Sequence, residues 1–202
     1  MKVYYRPFFF FIVYLLATEF TIAQSISSVE LQSALPDSYD GVVISPSAQF
    51  DFNNHTWSIG PAILLSYGDN IEQREGLKLS GIYLGYANYL HGRSEKFNLF
   101  HSFDLILQRI KDEQDSRYFN TASNSFEAFE LAQTDKIVQL FANFGVLIKL
   151  SDKLNLSQTL GLGLSATFRS TTSPFNDFND TFIAQDWLLK TGLSYKINKQ
   201  EN

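Results

Sequence analysis

The sequence predicts an all-β chain folded as a single antiparallel up-and-down β-barrel of eight strands. Three observations predict it. Apolar residues recur at every second position over long stretches. The polar segments between those stretches alternate in length. No stretch beyond the N-terminal leader is a continuous apolar run long enough for a membrane helix.

Residues 136–169 carry the first observation. Val138, Leu140, Ala142, Phe144, Val146, Ile148 and Leu150 share one parity. Between them lie Ile137, Gln139, Phe141, Asn143, Gly145, Leu147 and Lys149, a more polar set. After Ser151-Asp152-Lys153 the pattern resumes with Leu154, Leu156, Leu160, Leu162, Leu164, Ala166 and Phe168, broken only by Gln158. The opposite parity there is Asn155, Ser157, Thr159, Gly161, Gly163, Ser165, Thr167 and Arg169. A period of two is the period of a strand, and a short polar link between two such runs makes a hairpin. Strands of soluble domains run about 5–6 residues, whereas each arm here runs about 15, more than the roughly 9–11 that cross a bilayer at a tilt. One oily face for lipid and one small, polar face for a packed interior is the pattern of a transmembrane barrel. The hairpin alone also fits a soluble barrel or sandwich with the oily face in its core, so the rest of the chain decides.

In order, 26–34 is a weak strand, followed by a turn at Pro36-Asp37-Ser38. Residues 42–52 place Val42, Ile44, Ala48, Phe50 and Phe52 on one face, with Pro46 as an interruption. Asn53-Asn54-His55 is turn-like. In 57–67, Trp57, Ile59, Pro61, Ile63, Leu65 and Tyr67 oppose Ser58, Gly60, Ala62 and Ser66, with Leu64 the exception. An aromatic residue at each end of an oily face matches the interfacial girdles of membrane barrels. Residues 76–90 form a strand with mixed faces. In 97–110, Phe97, Leu99, Phe103, Leu105 and Leu107 oppose Asn98, Ser102, Asp104 and Gln108. In 182–197, Ile183, Trp187, Leu189, Leu193, Tyr195 and Ile197 oppose Asp186, Lys190, Gly192, Ser194 and Lys196. Six strands alternate clearly and the first two less so, which leaves a six-stranded count open at that end. Long connections at 170–181 and 112–135 alternate with short ones at 151–153 and 91–96, so long loops gather on one side and tight turns on the other. Gly161 and Gly163 are expected to let interior neighbours pack closely or to ease strand curvature.

Lys2 and Arg6, the apolar run 7–17, and small residues at Thr21 and Ala23 make residues 1–23 a signal peptide, with 24–202 as the barrel domain. The apolar run is too short for the usual ~20-residue helical span. The chain carries 16 basic and 21 acidic residues, net −5, and no basic patch that would suit nucleic acid. Without cysteine it has neither a disulfide nor a lipid-anchoring thiol. A mean hydropathy of −0.10 is too low for a bundle of membrane helices. It suits a barrel, in which every second residue faces inward.

The segment Lys190-Thr191-Gly192-Leu193-Ser194-Tyr195-Lys196-Ile197 resembles the terminal signal of bacterial outer-membrane barrels, with the difference that residues 198–202 follow it. The mature chain as a whole resembles small eight-stranded outer-membrane barrels of the OmpA/OmpX type within the broad porin-like class. The resemblance implies an outer-membrane location, surrounding lipid as a partner, and barrel assembly machinery that reads the last strand. It implies a structural or surface-interaction role without catalysis.

The histidines are His55, His91 and His101. His101-Ser102 faintly resembles the pair used by lipid A deacylase barrels, but adjacent residues of a strand point to opposite faces. No histidine or carboxylate spacing suggests a metal site. Asp104, Asp186, Lys78, Lys190 and Arg169 fall on the interior parity. They read as an acid/base pair, an ion path, or a network that fills the barrel. Filling is expected, because an eight-stranded barrel is only wide enough for its own side chains and buried charges must be paired. General porin activity is excluded on the same ground, and no catalytic, cofactor or metal residue is assigned. The connections 112–135 (Asp112, Glu113, Asp115, Arg117, Tyr118, Phe119, Phe126, Glu127, Phe129, Glu130, Asp135) and 170–181 (Phe175, Asp177, Phe178, Asp180) combine acids with aromatics. They are candidate sites for an extracellular ligand or protein. Oxygen ligands are dense at 176–180, without the spacing of an EF-hand. Two other classes stand beside this reading: an outer-membrane lipid-modifying enzyme, and a soluble periplasmic barrel that carries an apolar ligand.

Overall fold

The computed structural model describes residues 26–36, 41–66, 77–91, 96–120, 125–172 and 177–197. The side chains of residues 36, 41, 66, 77, 78, 112–120 and 126–131 are outside the description. Residues 1–23, read from the sequence as a signal peptide, lie outside the described residues, as do Tyr67, Phe175 and Asn176, the side chain of Lys78 and most side chains of 112–135.

Eight strands follow one another: β1 (Ser28–Pro36), β2 (Gly41–Phe52), β3 (His55–Ser66), β4 (Leu77–Tyr89), β5 (Phe97–Asn120), β6 (Ser125–Lys149), β7 (Leu154–Thr172) and β8 (Asp177–Lys196). Each pairs antiparallel with the next, and β1 pairs with β8, which closes the barrel. The count is eight, and the weak N-terminal segment is a full member. It is held on one side by Ser28↔Gln49 to Ala34↔Val43, and on the other by Ser28↔Lys196 to Pro36↔Leu188. Among the described residues no helix is long and apolar enough to cross a membrane.

Two local irregularities explain where the sequence pattern falters. Between Ala62 and Ile63 the β3–β4 register shifts, and Ser80 is the extra residue on β4. A bulge reverses the parity of the strand beyond it. Leu79 therefore faces outward on one side of the bulge and Ile82 on the other, which gives 76–90 its mixed faces. The bulged Ser80 stays buried, donating to the Ala62 carbonyl at 2.9 Å and accepting from Gln108 Nε2 at 2.8 Å. In β2 the ladder to β3 is interrupted between Ile44↔Ile63 and Ala48↔Ile59. That gap holds Pro46, which has no N–H to give to a ladder.

The long connections expected at 112–135 and 170–181 are a correction to the sequence reading. β5 and β6 run 24 and 25 residues and pair from Phe97↔Ile148 up to Asn120↔Ser125. β7 and β8 pair up to Thr172↔Asp177. Only 121–124 and 173–176 are left between the strands. Apolar alternation stops before these ends, yet the backbone ladder continues, because cross-strand hydrogen bonds do not depend on side-chain polarity. The barrel is cut obliquely as a result. The β4–β5 ladder ends at Gly81↔Gln108 and the β1–β8 ladder at Pro36↔Leu188. Beyond those pairs β5, β6, β7 and β8 rise as a four-stranded wall whose two outer strands, among the described residues, pair on one side only. The opposite end is compact, with turns at Asn53-Asn54 and 150–153. Asn53 takes φ 50°, a left-handed conformation that asparagine tolerates.

Candidate functional site

The outside of the barrel is the first feature. Leu31, Ile59, Ile82, Phe103, Phe144, Leu162 and Trp187 come from seven of the eight strands, and all are exposed. Leu162 is 54% exposed and its opposite-parity neighbour Ser165 only 3%, as the alternation requires. On β5 the oily run from Phe97 to Leu107 spans ~33 Å along the strand at about 3.3 Å per residue, or ~25 Å vertically at a tilt of about 40°. Phe50, Trp57, Tyr86 and Phe103 stand directly opposite one another across β2, β3, β4 and β5. The Trp57 and Tyr86 rings are 4.9 Å apart, and Tyr86 Oη lies 2.8 Å from His55 Nδ1. Gln158, the polar break in the oily face, is bonded across the strands to Thr191 Oγ1 at 3.2 Å.

The interior is the second feature, and it is layered rather than uniformly polar. Near the turn end, Tyr89, Phe100 and Leu147 form a small apolar cluster. Toward the other end Ala34, Val43, Ala62, Ile106, Phe141 and Leu188 form a larger one, with Leu64 packed against it. Leu64, the odd residue of its face, is therefore an interior side chain. Between the two clusters lies an ionic layer. Lys190 Nζ donates to Asp104 Oδ2 at 2.5 Å and to Tyr83 Oη at 3.2 Å. Tyr83 donates to Asp104 Oδ1 at 2.7 Å, and Asn143 Nδ2 to Asp104 Oδ2 at 2.9 Å. Glu30 forms a second centre, accepting from Gln32 Nε2 and Gln49 Nε2 at 2.5 Å each and from Ser157 at 2.9 Å. A cavity of about 30 Å³ lies between the two carboxylates, room for roughly two waters.

Of the interior charges read from the sequence, the structure joins Asp104 to Lys190. It puts Asp186 beside Gln139 at 3.0 Å, away from that pair. Arg169 is at the rim, bound through two nitrogens to Asp135 at 2.9 Å each. Sequence reading missed Glu30, Tyr83 and Asn143. Glu30 sits in the strand with the weakest pattern. Its signal was its neighbours Ser28 and Gln32, a polar parity opposite Val29 and Leu31. Gly161 and Gly163 do make room as expected: a Cβ at Gly161 would strike Asn143 Oδ1, and one at Gly163 the Phe141 ring. His101 is on the outward face, while Ser102 is buried and 3.1 Å from Asn143 Nδ2, so the two form no joint site. Among the described residues no group of three or more histidine or acidic side chains could hold a metal ion.

The chain is a closed eight-stranded β-barrel. No protein-family model matches it, and no curated protein matches its sequence. Among solved structures it is similar to the N-terminal β-barrel domain of Pseudomonas aeruginosa OprF, at 12% identity and a TM-score of 0.41, covering 85% of this chain and 98% of that one. It is also similar to Neisserial surface protein A (NspA), at 13% identity and a TM-score of 0.46, covering 85% and 94%.

Proposed function

We propose that the chain spans the outer membrane of a Gram-negative cell as a filled, non-conducting and non-catalytic barrel, and that it presents the β5–β8 wall as a surface for interaction. The apolar belt carries this reading. Contiguous exposed apolar surface beyond a few hundred Å² marks contact with a membrane or a partner, and this belt runs around the barrel. A closed barrel is also one of the two structures able to cross lipid with every backbone group satisfied. The layered interior supports the absence of conduction. The acidic and aromatic residues of 112–135 and 170–181 support an extracellular ligand or protein as the wall's partner. Leu193, Tyr195 and Ile197, exposed on the outward side of the last strand and just beyond it, support its being read by barrel assembly machinery.

The structure gives little room to an apolar-ligand carrier, because the interior cavity is small and lined largely by polar groups. A lipid-modifying enzyme needs a histidine, serine and acid in reach of one another, and His101 and Ser102 face apart. The test is fractionation followed by a detergent gel of unboiled and boiled samples. A membrane barrel pellets with the envelope, needs detergent and shows two mobilities. Recovery in the soluble periplasmic fraction without detergent would overturn the reading.

A further inference from the structure

We propose that Arg109 and Lys136, on the outward face just above the apolar belt, bind the phosphate of a lipid headgroup in the adjoining leaflet. This rests on the membrane reading above and adds a site to it.

Arg109 and Lys136 are direct cross-strand partners on β5 and β6. The pair below them on the same face is Leu107↔Val138, the last of the belt. Both cations are exposed, and Lys111, two residues further on, faces the same way. Like charges directly opposite one another on a sheet are destabilising, with Cβ atoms held about 4.5–5.5 Å apart. An anion between them relieves that repulsion. Asp135, the acid next to Lys136 in sequence, turns to the other face of the sheet, where Arg169 holds it through two nitrogens. Beside Lys136 on β7 the outward position is Phe168, an exposed aromatic at the belt's edge.

The cations of the turn end are arranged otherwise. Lys149 is paired to Asp152 at 2.9 Å, and Lys153 lies 5.9 Å from the Tyr195 ring. Lys96 meets Lys149 and Lys153 meets Lys196 across strands at that end as well, but on the parity of the buried Asn98, Leu147, Asn155 and Ser194. Among the described residues the outward-facing cross-strand cation pair therefore belongs to the wall side. Its height selects the ligand. Where apolar side chains give way to cations at a bilayer surface, the groups at that level are lipid headgroups, which long basic side chains reach by extending from the belt. Phosphate fits the pair by chemistry: the guanidinium fork of Arg109 takes two oxygens, and the Lys136 ammonium supplies a point charge to a third. On the β4 side the ladder ends at Gln108, one residue before Arg109.

The full chain, refolded into nanodiscs of phosphatidylcholine doped with phosphatidic acid, is examined by native mass spectrometry for retained lipid. The wild-type barrel should retain phosphatidic acid over phosphatidylcholine. Arg109→Gln with Lys136→Gln should weaken that retention by about tenfold or more, the scale of losing charge-assisted hydrogen bonds. Lys153→Gln at the turn end should leave it unchanged. The detergent gel, run on every sample, separates the two readings. If all variants show the folded mobility and retain phosphatidic acid equally, the headgroup site is wrong and the membrane barrel stands. If millimolar inorganic phosphate displaces the lipid completely, the site is a free-phosphate site and the lipid assignment is overturned. If the wild type does not enter nanodiscs of either composition, both readings fall.

Discussion

Replacing Lys190 by methionine leaves the Asp104 carboxylate buried beside Tyr83 and Asn143 without its counter-charge. Removing one partner of a buried pair costs about 3–5 kcal/mol. The urea midpoint of Lys190→Met in detergent should therefore fall well below wild type, and adding Asp104→Asn should recover part of the loss. An unchanged midpoint would show that the ion pair is not what fills this layer. Leu162 tests the other face. An arginine near the bilayer midplane costs about 2–4 kcal/mol against a total stability of about 5–15 kcal/mol, so Leu162→Arg should deplete the barrel from membranes. Leu162→Trp separates lipid from a packed core, since overpacking a core costs about 1–3 kcal/mol and lipid yields to the larger ring. Membrane yield of the tryptophan variant should stay near wild type, and a loss as severe as that of arginine would place Leu162 in a core. Positions such as Leu162 and Ser165 were legible because period two assigns a face without any knowledge of neighbours. The partners within the lumen were not. Which polar residue meets which depends on strand register and shear, and Glu30 reaches Ser157 only because the barrel closes β1 onto β8.

At the scale of the strand, the chain combines two kinds of hairpin. Below the edge of the belt a strand is held by its ladder and carries an oily outward face. Above it, β5 and β6 continue as a paired ladder up to Asn120↔Ser125. Removing residues 114–130 should shorten the wall and leave the barrel intact, because the β5–β6 ladder from Phe97↔Ile148 to Asp112↔Gln133 stays paired without them. The truncated chain should keep two gel mobilities and equal membrane yield, and loss of the folded band would mean that the wall is required for closure. The sequence showed where the apolar belt ends rather than where strands end, since alternation reports a face in contrast with its opposite. It also read β4 as irregular without seeing that one inserted residue, Ser80, accounts for the irregularity. A bulge leaves two regular half-patterns of opposite parity, which average to none over the whole strand.

For the molecule as a whole, the eight strands form one closed sheet, and no subset of them is complete. A chain ending at Thr172 keeps seven strands but leaves β1 and β7 with unpaired edges inside the bilayer, where each unsatisfied backbone group costs several kcal/mol. It should give no heat-modifiable band, and protease should digest it throughout rather than at the wall. A protected seven-stranded core would contradict this. The β1–β8 seam also has a meaning in time. It joins the earliest described strand to the latest, the pairing with the greatest sequence separation in the barrel. Topologies dominated by distant pairings form slowly, since closure entropy is lost before any contact is gained. Until β8 is in place the sheet cannot close, and β1 and β7 keep the unpaired edges at which chains aggregate. A factor that merely delays delivery of the last twenty or so residues would lower the yield of this protein while leaving every native contact untouched.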